Sequence, residues 1–64
     1  MKLKQLLKEK DLSAAQLSRR VGVSVYTTWK WTNNKGEPNA VHMLQIAEAL
    51  NVPVEDIVRC FAEK

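Results

Sequence analysis

Between Ser13 and Trp31 the chain reads S-A-A-Q-L-S-R-R-V-G-V-S-V-Y-T-T-W-K-W, an order of residues that few folds can satisfy. Ser13 suits a helix N-cap, because its hydroxyl can accept from a backbone N–H of the first turn. Gln16, three residues on, completes a capping box. Leu17 and Val21 fall one turn apart and give the inward face. Gly22 follows, the residue that takes a left-handed conformation without a Cβ penalty and so ends the helix. Ser24 then caps a second helix after a single step through Val23, whose side chain can pack between the two. The stretch predicts helices over about 14–21 and 25–32, the second carrying exposed polar and aromatic side chains.

Two short helices joined by a tight glycine turn form a helix-turn-helix. The 64 residues allow one domain, 1–64, with one small core near the lower limit of independent stability. Only two glycines and two prolines are present, and no long β-branched run. The expected fold class is therefore all-α, a compact unit of about five helices. Ahead of the central pair, Leu3, Leu6 and Leu7 share one helical face, with Lys2, Lys4, Lys8 and Lys10 mostly around the rest. Those lysines read as a solvated surface, with a minor role in phosphate attraction open to Lys2 or Lys4. Leu12 before the Ser13 cap fits a hydrophobic staple. Beyond Trp31, Asn33 to Pro38 reads as a loop in which Asn34 can adopt left-handed geometry. Asn39 caps a fourth helix with Met43, Ile46, Ala47 and Leu50 as its apolar face, and Asn51 ends it. Pro53 opens the last helix, with Glu55 and Asp56 at the positive end of its dipole. Its apolar residues Val54, Ile57, Val58 and Phe61 make a face wider than a small core needs.

Composition argues against catalysis. One histidine, one cysteine and no carboxylate cluster on a shared face leave no catalytic or metal-binding constellation, and no glycine-rich phosphate loop suggests a cofactor. Cys60 has no second cysteine with which to form an internal disulfide and reads as a small hydrophobe. No signal peptide or apolar run of membrane length is present, so a cytoplasmic protein is expected. Ten Lys/Arg against seven Asp/Glu give a net charge of +3, a bias compatible with a polyanionic partner.

An ordered set of motifs resembles the Cro/CI-type (XRE, lambda-repressor-like) helix-turn-helix family. The matching residues are L-S-x-x-Q-L-S-x-x-V-G-V-S from Leu12 to Ser24, then T-x-x-K-W at Thr27 to Trp31. N-x-K at Asn33 to Lys35, E-P at Glu37–Pro38 and L-Q-I-A-E-A-L-N-V-P at Leu44 to Pro53 follow. The resemblance covers nearly the whole chain and implies a five-helix DNA-binding domain. Three positions depart from the family. Ala14 stands where a phosphate-binding glutamine is common. Thr28 stands where an isoleucine or valine is usual, so either its hydroxyl bonds a carbonyl one turn back or the core is weakened. Trp29 stands where a small or polar residue is commoner. On the family pattern, Thr28→Ile is expected to keep the fold and stabilise it by burying more apolar area, unless the hydroxyl is satisfied and the pocket already full.

In a helix-turn-helix the second helix enters the major groove of double-stranded DNA. By position the base-contacting residues are Val25, Tyr26, Thr27 and Lys30, with Lys30 suited to guanine O6 and N7 and Val25 to a thymine methyl. Ser24, Asn33, Lys35 and the helix start at Ala14 are the expected phosphate contacts. The bland alternative makes all of them an ordinary solvated face. Arg19 and Arg20 near the end of their helix can be purely structural, since cations there favour the dipole. A single small module makes few contacts, so a homodimer on a two-fold operator is expected, with Val58 and Phe61 as its tentative seam. The competing role for this pair is to close the core against Leu3 and Leu7. With the chain given over to one domain, the reading is a repressor acting by operator occupancy, most like a small phage Cro-type repressor. A protein-interaction module of the same fold, such as an antitoxin-like or repressor-partner protein, is the alternative.

Overall fold

The computed structural model describes residues 2–62. Five helices follow one another with no strand among the described residues: α1 Leu3–Glu9, α2 Ala14–Val21, α3 Val25–Thr32, α4 Ala40–Leu50 and α5 Val54–Ala62. Each start of the central helices is fixed by a side chain. Gln16 N–H donates to Ser13 Oγ at 3.1 Å while Ser13 N–H donates to Gln16 Oε1 at 2.9 Å, closing the capping box. Thr27 N–H donates to Ser24 Oγ at 3.1 Å, and His42 N–H to Asn39 Oδ1 at 2.8 Å. These bonds satisfy amides that a helix start otherwise leaves without partners.

Four helix exits share one device. A residue with positive φ (Asp11 at 55°, Gly22 at 84°, Asn34 at 57°, Asn51 at 57°) reverses the chain. The next N–H then reaches back five residues: Leu12 to Leu7 O, Val23 to Ser18 O, Lys35 to Lys30 O and Val52 to Ala47 O, at 2.9, 3.0, 2.8 and 3.0 Å. This is the Schellman arrangement, which also brings the residue after the turn back over the helix. In three exits that residue is apolar, and Leu12, Val23 and Val52 each pack against the core. In the fourth it is Lys35, which stays exposed.

The core gathers Leu3, Leu6 and Leu7 of α1, Leu17 and Val21 of α2, and Trp31 of α3. From the second half it takes Ile46, Ala47 and Leu50 of α4 and Ile57, Cys60 and Phe61 of α5. Thr28 is as deeply buried as Leu17, Ile46 and Ile57. Its Oγ1 lies 2.8 Å from Val25 O and 3.0 Å from Ala14 O. The single hydroxyl proton is thus shared between a carbonyl one turn back and one at the start of α2, joining the two helices of the motif. Arg20 makes a second tie, donating from Nη1 to Ala49 O at 3.2 Å in the last turn of α4. His42 is half-buried, its ring tilted against Trp31 with centroids 5.4 Å apart.

The two residues of the tentative dimer seam separate. Phe61 is buried with the core, at 8% exposure, whereas Val58 is 44% exposed. Helical phase explains the split. At about 100° per residue, Phe61 returns to within about 40° of Ile57, the most buried residue of α5, while Val58 is turned about 100° away. Phe61 therefore packs in the core, and Val58 is the member of the pair left open to solvent.

Candidate nucleic-acid interface

The outward face of α3 follows from the same phase. Val25, Trp29, Asn33, Tyr26 and Lys30 occupy an arc of about 140°, opposite the buried Thr28. Val25, Tyr26 and Trp29 are 52%, 67% and 46% exposed. Tyr26 and Trp29, three apart, lie nearly parallel, their ring centroids 6.0 Å apart and their planes 12° off. The Lys30 ammonium sits 5.7 Å from the Tyr26 ring centroid, a cation–π distance. On its other side the Lys30 stem runs past Gly36. A Cβ added there would lie 3.3 Å from Lys30 Cε, so the small residue in the loop leaves room for the lysine. Lys30 is therefore half-buried and guided at its stem by two neighbours, with its charge at the helix surface.

Other polar side chains of α3 make bonds within the motif, without exhausting the hydroxyls of Ser24 and Thr27. Thr27, half-buried, has Oγ1 2.8 Å from Ser24 Oγ. Asn33 Nδ2 donates to Trp29 O at 2.8 Å and to Thr32 Oγ1 at 3.3 Å, which uses both of its amide protons to close the end of α3. Ala14 begins α2 directly beside α3, as the bond from Thr28 to its carbonyl shows. Among the described residues no group of three or more His, Cys, Asp or Glu could hold a metal ion, and no helix is long and apolar enough to cross a membrane.

The family profile described as the Cro/C1-type HTH DNA-binding domain matches residues 2–63. The chain belongs to that family. No curated protein matches the sequence. As a member of a Cro/C1-type DNA-binding family, the protein has DNA as its partner and a general role as a DNA-binding regulator.

For this Cro/C1-type domain, the candidates named from sequence divide into three groups. Val25, Tyr26 and Lys30 lie together on the outward face of α3. Thr27 and Ser24 sit at its N-terminal edge, bonded to each other. Ala14 and Lys35 flank the helix from α2 and from the following loop, Lys35 exposed and Ala14 half-buried. Asn33 belongs to α3 as its C-cap, and its amide has no proton left for a phosphate in this arrangement. Three lysines near the N-terminus also come close to the motif. Lys4 and Lys8 line a shallow groove with Ser13, Ala14 and Thr32, beside the start of α2. Lys2 lines another with Asn34 and Lys35. Periodicity marked these lysines as solvated. Packing brings Lys4 and Lys8 to the start of α2 and Lys2 to the loop after α3, where Asp11 and Glu37 line the same two grooves.

Proposed function

We propose that this protein is a sequence-specific transcriptional regulator of the cytoplasm that binds double-stranded DNA, with α3 in the major groove, and represses by occupying its operator. One observation carries the reading: a short helix presents Tyr26 and Lys30 outward, held at its base by Thr28, with lysines near the start of α2 and in the loop after α3. In this reading Val25, Tyr26, Thr27 and Lys30 face base edges. Ser24, Lys35 and the amides at the start of α2 near Ala14 meet phosphates, and Lys4 and Lys8 add charge there.

A homodimer fits the same scheme, since a domain this small gains affinity and two-fold selectivity by pairing on DNA. Val58 and, beyond it, the exposed Leu44 of α4 support a seam on the α4–α5 side. Leu44 shares a shallow groove with Val54, one turn before Val58.

Selection of bound sites from random duplex DNA tests binding, sequence and symmetry together. On the selected site, Lys30→Ala is expected to lose about 1–3 kcal/mol and to relax preference at one base step. Lys35→Ala is expected to weaken specific and random duplexes alike and to lower the salt slope by roughly one unit. Equal losses for Lys30→Ala on both kinds of duplex would assign it to phosphate instead. The exposed stacked pair of Tyr26 and Trp29 favours one second reading, a protein-interaction module. Steep weakening of duplex binding with log salt argues for the DNA reading, because a protein interface responds far less.

A further inference from the structure

Binding through α3 leaves open which chemical feature of the bases is read, and the hydrogen bonds already made on its outward face narrow the choice. Thr27 is tied to Ser24, and both Asn33 amide protons are used within α3. Apart from the Tyr26 hydroxyl, the Trp29 indole N–H and the Lys30 ammonium, the surface that remains is apolar: Val25 and the rings of Tyr26 and Trp29, residues each about half exposed or more. The major groove offers one apolar group among its base edges, the C5-methyl of thymine. An isopropyl group or the face of an indole pressed against amino or carbonyl edges would strip them of water without returning a hydrogen bond, which costs binding energy. Pressed against a methyl group, it gains by burial.

We propose that Val25 and Trp29 form a strip that reads thymine methyl groups, which makes Trp29 a specificity-determining residue and places two thymines, two base steps apart, on one strand of the preferred half-site. The inference rests on the DNA-reading function proposed above. Length agrees with it: Val25 and Trp29 are one turn apart, about 6 Å along the axis, close to two base steps of about 3.4 Å. Rigidity agrees as well. The Trp29 ring is stacked on Tyr26, and Lys30 lies over Tyr26, so the strip is ordered before DNA arrives and loses little rotamer freedom on binding. Charge chooses the occupant. Lys30 borders the strip and Lys35 stands at the end of the helix, which suits a groove between phosphate chains rather than an apolar protein cleft.

The test uses the whole chain and the duplex selected from random sequence. Thymines are replaced one at a time by deoxyuridine, which pairs identically but lacks the methyl, and binding is followed by fluorescence anisotropy of a labelled duplex at fixed salt. Each methyl under the strip is expected to be worth about fourfold in affinity, the value of one buried methylene. Trp29→Ala is expected to bind more weakly and to lose its share of that penalty, while Lys35→Ala keeps it in full. Because the methyl is removed from the DNA, the wild-type result does not depend on any variant folding. A selected half-site without two thymines spaced two base steps apart, or indifference to deoxyuridine, overturns the proposal and leaves DNA reading standing. So does a penalty that survives in both Trp29→Ala and Val25→Ser. Failure to enrich any sequence removes the DNA-reading function along with it.

Discussion

Thr28 is the residue at which family pattern and local physics part. An aliphatic side chain at this position would bury more apolar area, and on that ground Thr28→Ile is expected to stabilise. The hydroxyl's bonds argue for the opposite sign. The side chain is fully buried with its hydroxyl satisfied, and that hydroxyl bridges Val25 O and Ala14 O. Thr28→Val, which keeps the shape and removes the donor, is expected to cost about 1 kcal/mol, the net worth of one hydrogen bond. Thr28→Ile loses the same donor and adds a methylene at a position with no exposed surface, and overpacking of a buried site costs about 1–3 kcal/mol. Urea denaturation of the two variants checks both values, and a rise in midpoint for Thr28→Ile would restore the aliphatic expectation. Sequence alone reached half of this arrangement. A hydroxyl bonding one turn back is a local possibility that any helical threonine has. The second acceptor, on Ala14, exists only because α2 and α3 cross, and no spacing in the sequence encodes that contact.

Among the elements, helix starts were legible and helix exits less so, for a physical reason. Caps are local chemistry: Ser13, Ser24 and Asn39 each bond an amide three residues ahead, and their residue types announce it. Exits depend on a single backbone torsion. Gly22, Asn34 and Asn51 signal it, while Asp11 does so weakly and reads as no more than a polar connection. The lysines of α1 show the next limit, because their nearness to α2 and to the loop after α3 is a matter of packing rather than pattern. The exits also make a paired prediction. A Cβ at Gly22 would meet nothing within 4 Å, so substitution there is opposed by the backbone torsion alone. Gly22→Ala is expected to cost about 1–2 kcal/mol, the left-handed penalty of an ordinary residue. Gly22→Asn is expected to cost clearly less, since asparagine already holds this conformation at two other exits. Thermal melts of the pair decide the matter, and equal losses would show that space or packing, not torsion, sets the cost.

At the scale of the molecule, α5 has to close a small core and is also the side on which pairing is proposed, and burial divides those tasks between neighbouring residues. Phe61 packs with Leu3, Leu6 and Leu7 in the cluster that joins the first helix to the last. Phe61→Ala removes a large part of that junction, at an expected cost of about 3–5 kcal/mol. A domain of this size has a total stability near the lower end of about 5–15 kcal/mol, so the variant should be largely unfolded at room temperature. Val58 is different. Its outward half is in solvent, and Val58→Glu should leave the helical signal intact, because little of the core loses contact. If the α4–α5 side is the seam, the glutamates of two copies would face each other across the two-fold axis, where like charges in an apolar setting are strongly unfavourable. Circular dichroism and sedimentation on the same samples separate these roles. Loss of helicity for Phe61→Ala together with a folded, monomeric Val58→Glu that binds its operator weakly is the expected pair of results. A folded Phe61→Ala protein would take that residue out of the core. A wild-type dimer that stays paired with glutamate at position 58 would move the seam to another face of the molecule.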